Sequence, residues 1–334
     1  MSRPVLIATR GSALALAQAE LVRHQCRAVS PYLDFEIRII KTTGDKLQTA
    51  PMANQYQQLP KGLFTREIEE ALLTSEADLA VHSLKDLPTE LPAGLELGSV
   101  LPREDVRDVL LYRRGKSVEP SAPFGIKDLP ANAVVATSST RREAQVNALR
   151  RDIRVVPIRG NVGTRLQKLA DQLEVDAIIL AAAGLHRLGL SLNADGALVS
   201  SPLSGGANNR VIFPKNIFGT PLALDQMLPC AGQGAIGVET RSNDGRVADL
   251  CSKINHPQTM HSVRAERAFL RAMGGGCQSP IGAHATIRGM HLVLRAICFC
   301  GDVAHRIEQQ GAVDGAEELG ESAARELKAR ISNE

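Results

Sequence analysis

The chain has 334 residues, of which 44% are apolar and 22% are charged, a composition typical of a soluble globular protein with room for two or three domains. A net charge of +3 and an aromatic content of 3%, with no tryptophan, argue against a nucleic-acid-binding surface. No adequate apolar stretch precedes Arg10, and the longest apolar run, 177–185, is too short to span a bilayer. We therefore expect no secretory signal, no membrane partner and a cytoplasmic location.

Strand-like and helix-like segments alternate from the start of the chain, which predicts an α/β architecture. The first set has strands at 5–8, 35–40 and 79–82 and helices at 12–26 and 65–73. A second set begins near residue 107, with strands at 133–136, 154–158 and 176–180 and a helix at 162–173. Thr140 and Glu143 could begin a further helix as a capping box. Two lobes of similar build are expected, with a cleft between them.

The pattern changes in the last third of the chain. Residues 190–225 have loop composition and are predicted to be an insertion or a lid. From about 253 the order becomes helix, several strands and a final helix at 316–331, which indicates a small α+β domain. The predicted domains are 1–103 with 232–252, then 107–225 with the insertion at about 190–225, and 253–334.

Arginines and hydroxyl residues recur where a buried strand runs into a helix. Helix N-termini bind anions, and guanidinium groups bind carboxylates and phosphates. Since ligands gather at the carboxyl ends of strands in open α/β sheets, these side chains should converge on a ligand with several negative charges. Any one arginine alone could be a solvated surface charge. The candidates are Arg10, Ser12, Thr137, Ser138, Ser139, Arg141, Arg142, Arg159, Arg165 and Arg187.

Lys85 and Asp86 follow the strand 79–82 and precede a proline turn. A carboxylate there can be buried in the cleft and exchange protons with a substrate, while nearby cations keep it ionised. The simpler alternative is that Asp86 caps a turn. His82 is expected to pack or to hydrogen-bond internally rather than to catalyse.

Cys277 lies in a glycine-rich segment, GGGCQ at 274–278, at the end of a helix-like run. Glycines allow positive φ and close approach of the backbone, so the thiol should be reachable. Alternatively, the glycines only cap the helix. The six cysteines (26, 230, 251, 277, 298 and 300) show no zinc-type spacing, and we predict thiols and no metal. Cys298 and Cys300 share one face of a strand, where packing is the simpler explanation.

Together these motifs resemble the porphobilinogen deaminase (hydroxymethylbilane synthase) family over nearly the whole chain. The matching segments, in the family's order, are ATRGS at 8–12, KGLF at 61–64, VHSLKD at 81–86, TSS with two arginines at 137–142, RGNVGTR at 159–165, GQG at 232–234 and GGCQ at 275–278. Any one of them is weak, whereas the ordered set is highly specific.

The resemblance implies three domains, the first two built like periplasmic binding proteins, and a dipyrromethane cofactor held by Cys277 through a thioether. On that primer four porphobilinogen units are condensed with loss of ammonia, and linear hydroxymethylbilane is then released by a monomeric enzyme. By resemblance, Asp86 stabilises the cationic azafulvene and transfers protons. Arg10, Arg159, Arg165 and Arg187 would serve the substrate and the growing chain. The cofactor would be held by Ser12, Lys85, Asp86, Thr137, Ser138, Ser139, Arg141, Arg142 and Gln233.

Three features depart from the family pattern. The segment 52–60 lacks the usual lysine-containing, glycine-rich composition, His186 stands where a lysine is common, and 190–225 is longer than the usual connection. Two other functions stay open at this point. A two-lobed protein that only binds anions would need no Cys277 domain. A cysteine acyltransferase would need a histidine base near the thiol, and no pairing with His261 or His284 is established.

Overall fold

The computed structural model describes residues 3–45, 62, 64–113, 124–201, 212–276 and 279–332. The strands are β1 (Val5–Thr9), β2 (Phe35–Ile39), β3 (Leu79–Ser83), β4 (Leu95–Val100), β5 (Asp108–Arg113), β6 (Val134–Ala136), β7 (Arg154–Val156), β8 (Ala177–Ala181), β9 (Leu190–Leu192), β10 (Leu198–Ser200), β11 (Ile217–Pro221), β12 (Ile236–Arg241), β13 (Ile281–Arg288), β14 (His291–Cys300) and β15 (Val303–Ala312). The helices are α1 (Ala13–Val29), α2 (Arg66–Leu73), α3 (Thr140–Leu149), α4 (Val162–Asp171), α5 (Ala182–Arg187), α6 (Gly245–Ile254), α7 (Pro257–Ala272) and α8 (Ala316–Ser332).

Two five-stranded sheets share one topology. Their strand orders are β2-β1-β3-β12-β4 and β11-β5-β8-β6-β7. In each sheet three neighbouring strands are parallel, and one further strand pairs antiparallel with the last of them. This strand is β12, beside β3, in the first sheet and β5, beside β8, in the second. The chain thus crosses between the lobes twice, at 101–107 and at 222–235. The two-lobed α/β architecture expected from the sequence is confirmed.

Buried strands packed against helices form the core of each lobe. β1 and β3 are almost fully buried, with Val5, Ile7 and Leu79 in the core against the apolar face of α1 and α6. Parallel strands covered on both faces need apolar side chains in succession, which explains these runs. In the second lobe, separate apolar clusters cover the two faces of the sheet, one with Leu166 and Leu169 of α4 and one with Val146 of α3.

The third part of the chain is an antiparallel meander, β13-β14-β15, packed against α7 and α8. Gly320 of α8 allows the two helices to approach closely, because a Cβ there would lie 2.3 Å from the carbonyl oxygen of Ala265. Cys298 is buried in this core, whereas Cys300 ends its strand and is exposed, so packing accounts for only the first of the pair. No helix in the described ranges has the length and apolar character needed to cross a membrane.

Two local expectations were wrong. Helix α3 has Ser139 as its N-cap, the hydroxyl accepting from the amide of Arg142, so Thr140 is the first helical residue and no capping box begins there. The segment 190–225 is not irregular throughout. It contains the hairpin β9–β10, and β11 is an edge strand of the second sheet, paired with β5. Residues 202–211 of that segment, like the altered segment 52–60, lie outside the described residues.

Candidate active site

Arg10 and Ser12 stand at the carboxyl end of β1. The Ser12 hydroxyl caps α1 by accepting from the amide of Ala15 at 3.3 Å. The Arg10 guanidinium donates to the carboxylate of Asp45, with Nε 3.0 Å from Oδ1, and lies 4.2 Å from the centre of the Phe64 ring. Burial opposes ionisation of Asp45, but hydrogen bonds from Arg10 and Thr42 hold its pKa below the ordinary value. Arg10 therefore already has an anionic partner in this structure.

Asp86 lies at the end of β3, on a one-turn 3-10 helix that spans Leu84–Asp86. It is exposed, so the expectation that this carboxylate is buried was wrong. It lines a cavity of about 60 Å³ together with Arg10, Ser12 and His82. Lys85, its neighbour, is half-buried. The geometry thus leaves Asp86 free to meet a ligand at the mouth of the cavity.

Arg165 brings the second lobe to the same place. It lies on α4, whose N-terminus is capped by the side chain of Asn161, and its Nε donates to the carbonyl oxygen of Gly160 at 2.8 Å. Burial and the nearby Arg142 lower the pKa of Arg165, while Asp86 acts in the opposite direction. Within the described ranges no carboxylate lies at ion-pair distance from Arg165. By contrast, Arg159, which precedes the N-cap of α4 by two residues, is exposed.

Arg187, the last residue of α5, is 8% exposed. One of its terminal nitrogens donates to the carbonyl oxygen of Gly234 at 2.6 Å, on the second crossing between the lobes. Burial lowers the pKa of Arg187 to about 10, and Glu104 offsets this only in part. Glu104 itself lies 3.2 Å from Nδ1 of His186, the residue that departs from the family's lysine. Arg187 is thus a desolvated cation with incomplete compensation.

Sequence reasoning missed Asp108, which organises the paired arginines. Asp108 is fully buried at the start of β5 and lies 2.9 Å from Arg141 and 2.7 Å from Arg142. Gln233 donates to the same carboxylate at 2.9 Å. Burial opposes its ionisation, but the two guanidinium groups hold the pKa of Asp108 well below the ordinary value. A carboxylate that opens an apolar run needs buried partners, and this was the available signal.

The hydroxyl residues at the start of α3 make local hydrogen bonds. Thr137 is buried and accepts from the amide of Ser139 at 3.2 Å. Ser138 joins the ends of β6 and β7, because its hydroxyl donates to the carbonyl oxygen of Ile158 at 2.8 Å and accepts from its amide at 3.0 Å. These contacts hold the N-terminus of α3 at the strand ends, where the sequence predicted it.

The comparisons with known proteins decide the family. The family model described as porphobilinogen deaminase, dipyromethane cofactor binding domain, matches residues 5–249, and the model of the porphobilinogen deaminase C-terminal domain matches 260–329. This chain belongs to the porphobilinogen deaminase family.

Named relatives agree over nearly the full length. The porphobilinogen deaminase of Desulforudis audaxviator is 43% identical over 97% of this chain and 94% of its own length. That of Thermus thermophilus is 43% identical over 97% of this chain and 95% of its own. Among solved structures, a substrate-binding domain of a putative amino acid ABC transporter from Streptococcus pneumoniae aligns over 81% of this chain and 95% of its own, with a TM-score of 0.42 and 11% identity.

Cys277, to which the family resemblance assigns the cofactor, lies outside the described residues. The glycines before it can be described. Gly274 has a φ of +74°, and the amides of Gly274 and Gly275 return to carbonyl oxygens of the last turn of α7, at 2.9 and 3.0 Å. The glycines therefore do cap α7, as the simpler alternative held. This does not conflict with a cofactor role for Cys277, because the cap uses only backbone groups of the glycines.

The described cations fit the cofactor and the substrate of the porphobilinogen deaminase family, both of which carry carboxylates. A dipyrromethane carries several acetate and propionate carboxylates. Arg165 and Arg187 are desolvated without a full counter-charge, which is costly until an anion binds. Arg141 and Arg142 differ, since Asp108 already neutralises them in part. The donor set suits a polyanionic ligand held between the lobes.

Proposed function

We propose that the chain condenses four porphobilinogen molecules head to tail, releases ammonia at each step and then releases linear hydroxymethylbilane, with Asp86 as the acid–base group. One observation carries the assignment of Asp86. Its carboxylate, on the first lobe, interacts electrostatically with Arg165 of the second lobe and lines the cavity beside Arg10 and Ser12. A carboxylate at that point stabilises a cationic substrate and can take up the proton that the substrate loses.

The arginines bind the carboxylates of the substrate. Arg165 and Arg187 gain most from an anion, because burial without full pairing raises the free energy of each charge. Arg10 would exchange the carboxylate of Asp45 for that of the substrate, and the exposed Arg159 would guide anions into the cleft. Each charge-assisted contact contributes about 1.5–3 kcal/mol.

The cofactor is dipyrromethane, which Cys277 would hold through a thioether and whose terminal pyrrole supplies the carbon nucleophile. The residues that would hold its carboxylates are Ser12, Lys85, Asp86, Thr137, Ser138, Ser139, Arg141, Arg142 and Gln233. Of these, Arg141, Arg142 and Gln233 meet at Asp108, which would keep the guanidinium groups oriented toward the ligand.

The lobes would move about their two crossings. The proposed units are 1–103 with 232–252, then 107–225, and 253–334. Support comes from the strand orders, since β12 joins the first sheet and β11 joins the second. A growing product needs a changing volume between the lobes, and two short crossings permit such a movement. A monomer in the cytoplasm without a nucleic-acid partner is part of the same proposal, in line with the modest charge of +3.

Intact-mass spectrometry of the purified protein tests this function. We expect an excess equal to one dipyrromethane that maps to Cys277, and a ladder of added pyrrole units with ammonia release after porphobilinogen is supplied. Cys277→Ser should lack the excess, whereas Cys300→Ser, a change of an exposed cysteine, should keep it. The proposal fails if the protein takes up no pyrrole and releases no ammonia even after reconstitution with preformed hydroxymethylbilane.

A further inference from the structure

A buried histidine–carboxylate pair lies directly beneath the cavity of Asp86. His82 on β3 and Glu239 on β12 belong to neighbouring antiparallel strands, and Nε2 of the histidine lies 2.9 Å from Oε2 of the glutamate. His82 is 6% exposed and Glu239 is fully buried. A carboxylate fully removed from water needs a compensating proton or cation. His82 therefore supplies the hydrogen bond that the buried carboxylate of Glu239 needs.

A second carboxylate stands behind the first. Glu69 of α2 is 8% exposed, and burial raises its pKa, with the charge of Glu239 adding to the effect and Thr65 and His82 opposing it. Oε1 of Glu69 and Oε1 of Glu239 are buried and have no hydrogen-bond partner among the described residues. Burial and the neighbouring carboxylate of Glu239 thus favour the protonated form of Glu69.

His82 connects this pair to the cavity. Its ring and Thr65 line the same cavity of about 60 Å³ as Asp86. A cavity of this size has room for water. Glu239 fixes the tautomer with the proton on Nε2, which leaves Nδ1 as the proton acceptor. Nδ1 has no hydrogen-bond partner within the described ranges, and the sequence analysis had given His82 only an internal packing or hydrogen-bonding role.

We propose that His82, backed by Glu239 and Glu69, is a proton relay that acts through Asp86. The proposal rests on the proposed function, because it assigns a destination to the proton that Asp86 collects. His82 is a positioning residue in this scheme, since it exchanges protons with Asp86 through water and does not touch the substrate. The charged groups that face it are Glu239 from β12, Glu69 from α2, Asp86 from the turn after β3 and Arg10 from the loop after β1.

The proton balance of one condensation is simple. The carbon–nitrogen bond of the protonated aminomethyl group of porphobilinogen breaks, ammonia leaves with the electron pair, and a cationic azafulvene is left. The free ring carbon at the end of the growing chain would bond to the exocyclic carbon that carried the amine. That attacking ring carbon would then lose its proton to the carboxylate of Asp86, and its ring would recover its aromatic electrons. Asp86 passes the proton through water to Nδ1 of His82, where the negative charge of Glu239 stabilises the imidazolium. The proton finally leaves to ammonia or solvent, and Asp86 is again ionised for the next unit.

Infrared spectroscopy tests the stored proton without any turnover. We expect a carbonyl band of a protonated carboxylic acid at neutral pH in the protein without substrate. Glu69→Gln or Glu239→Gln should remove it, whereas Glu90→Gln, a change of an exposed carboxylate in the same lobe, should leave it in place. A spectrum in which no such band responds to either buried variant would overturn the proton-holding role.

Kinetics of His82→Gln test the relay itself. The turnover number should fall by about 100-fold, with KM unchanged, because a proton-transfer group contributes about 10² to 10⁴ in rate. The rate of the variant should rise with pH, since Asp86 must then lose its proton to solvent base. His261→Gln, on α7 outside this cavity, is the matched control. If His82→Gln has the same rate and the same pH profile as the wild-type protein, even at reduced stability, the role of the histidine is purely structural. Absence of wild-type turnover would instead remove the proposed function.

Discussion

Arg103 and Glu266 form a bidentate ion pair, with Nη1–Oε1 at 2.6 Å and Nη2–Oε2 at 2.9 Å, between the first crossing of the lobes and α7 of the third part of the chain. Nε of Arg103 donates to the carbonyl oxygen of Gln233 on the second crossing. The same carboxylate accepts from the amides of Gly232 and Ala285, both at 2.8 Å. One buried glutamate thus joins both crossings and β13.

We predict that Glu266→Gln lowers the free energy of unfolding by about 3–5 kcal/mol, the usual cost when one partner of a buried ion pair is removed. An amide cannot accept from all four donors, and the largely buried guanidinium group of Arg103 would lose its counter-charge. Urea denaturation measures the change. The control is Glu321→Gln, which breaks a partly exposed pair with Arg271 and should cost less than about 1 kcal/mol. Equal losses in the two variants would contradict the central place of Glu266.

Much of the site was predictable because it depends on local sequence. Ser12 and Ser139 lie where a strand runs into a helix, as the local sequence indicated, although the cap of α3 was placed one residue late, at Thr140. Contacts between distant segments gave no such signal. Asp108 meets Arg141 and Arg142 across more than thirty residues of chain. Its place before an apolar run indicates that it needs buried partners, but does not indicate which residues they are. The exposure of Asp86 likewise depends on how a single 3-10 turn leaves the sheet.

Strand β11 is a second feature that the local sequence did not predict. The segment from 190 onward has the composition of a loop, yet Ile217–Pro221 pairs with β5 over its full length. An edge strand tolerates a terminal proline, and its pairing is fixed by the neighbouring strand more than by its own pattern. Local composition therefore favoured an insertion, and only the sheet itself reveals the strand.

Asp86→Asn should abolish most of the turnover without unfolding the protein. An amide has nearly the same size but carries no charge and accepts no proton, so we expect a loss of about 10² to 10⁴ in rate. Because Asp86 is exposed, its replacement should leave the urea midpoint nearly unchanged. Single-turnover release of ammonia gives the rate. Glu90→Gln serves as the control, and similar rates in the two variants would remove Asp86 from the mechanism.

Arg165→Gln should weaken substrate binding and stabilise the free protein slightly. The side chain is a half-buried cation beside Arg142, so its removal relieves a repulsion in the absence of ligand. In the complex, one charge-assisted contact of about 1.5–3 kcal/mol is lost, which corresponds to a rise in KM of about 10- to 150-fold. Steady-state kinetics and thermal unfolding measure the two effects. Arg154→Gln, an exposed change on β7, is expected to alter neither. An unchanged KM for Arg165→Gln would exclude contact with the substrate.

Native alkylation with iodoacetamide should separate the cysteines by burial. Thiolates are the reactive form, and burial raises the pKa of Cys26 to about 12 and those of Cys251 and Cys298 to about 11. These three thiols should stay unlabelled at pH 8, and their labelling should increase only as the pH approaches those values. The exposed Cys300 should be labelled first.

Cys277 should be protected by its thioether in the loaded protein and should become reactive when the cofactor is absent. Peptide mapping measures each site, with Cys300→Ser as the control that loses only the fastest label. Rapid labelling of Cys277 in loaded protein would contradict the thioether, because a sulfur bonded to the cofactor carbon has no proton to lose.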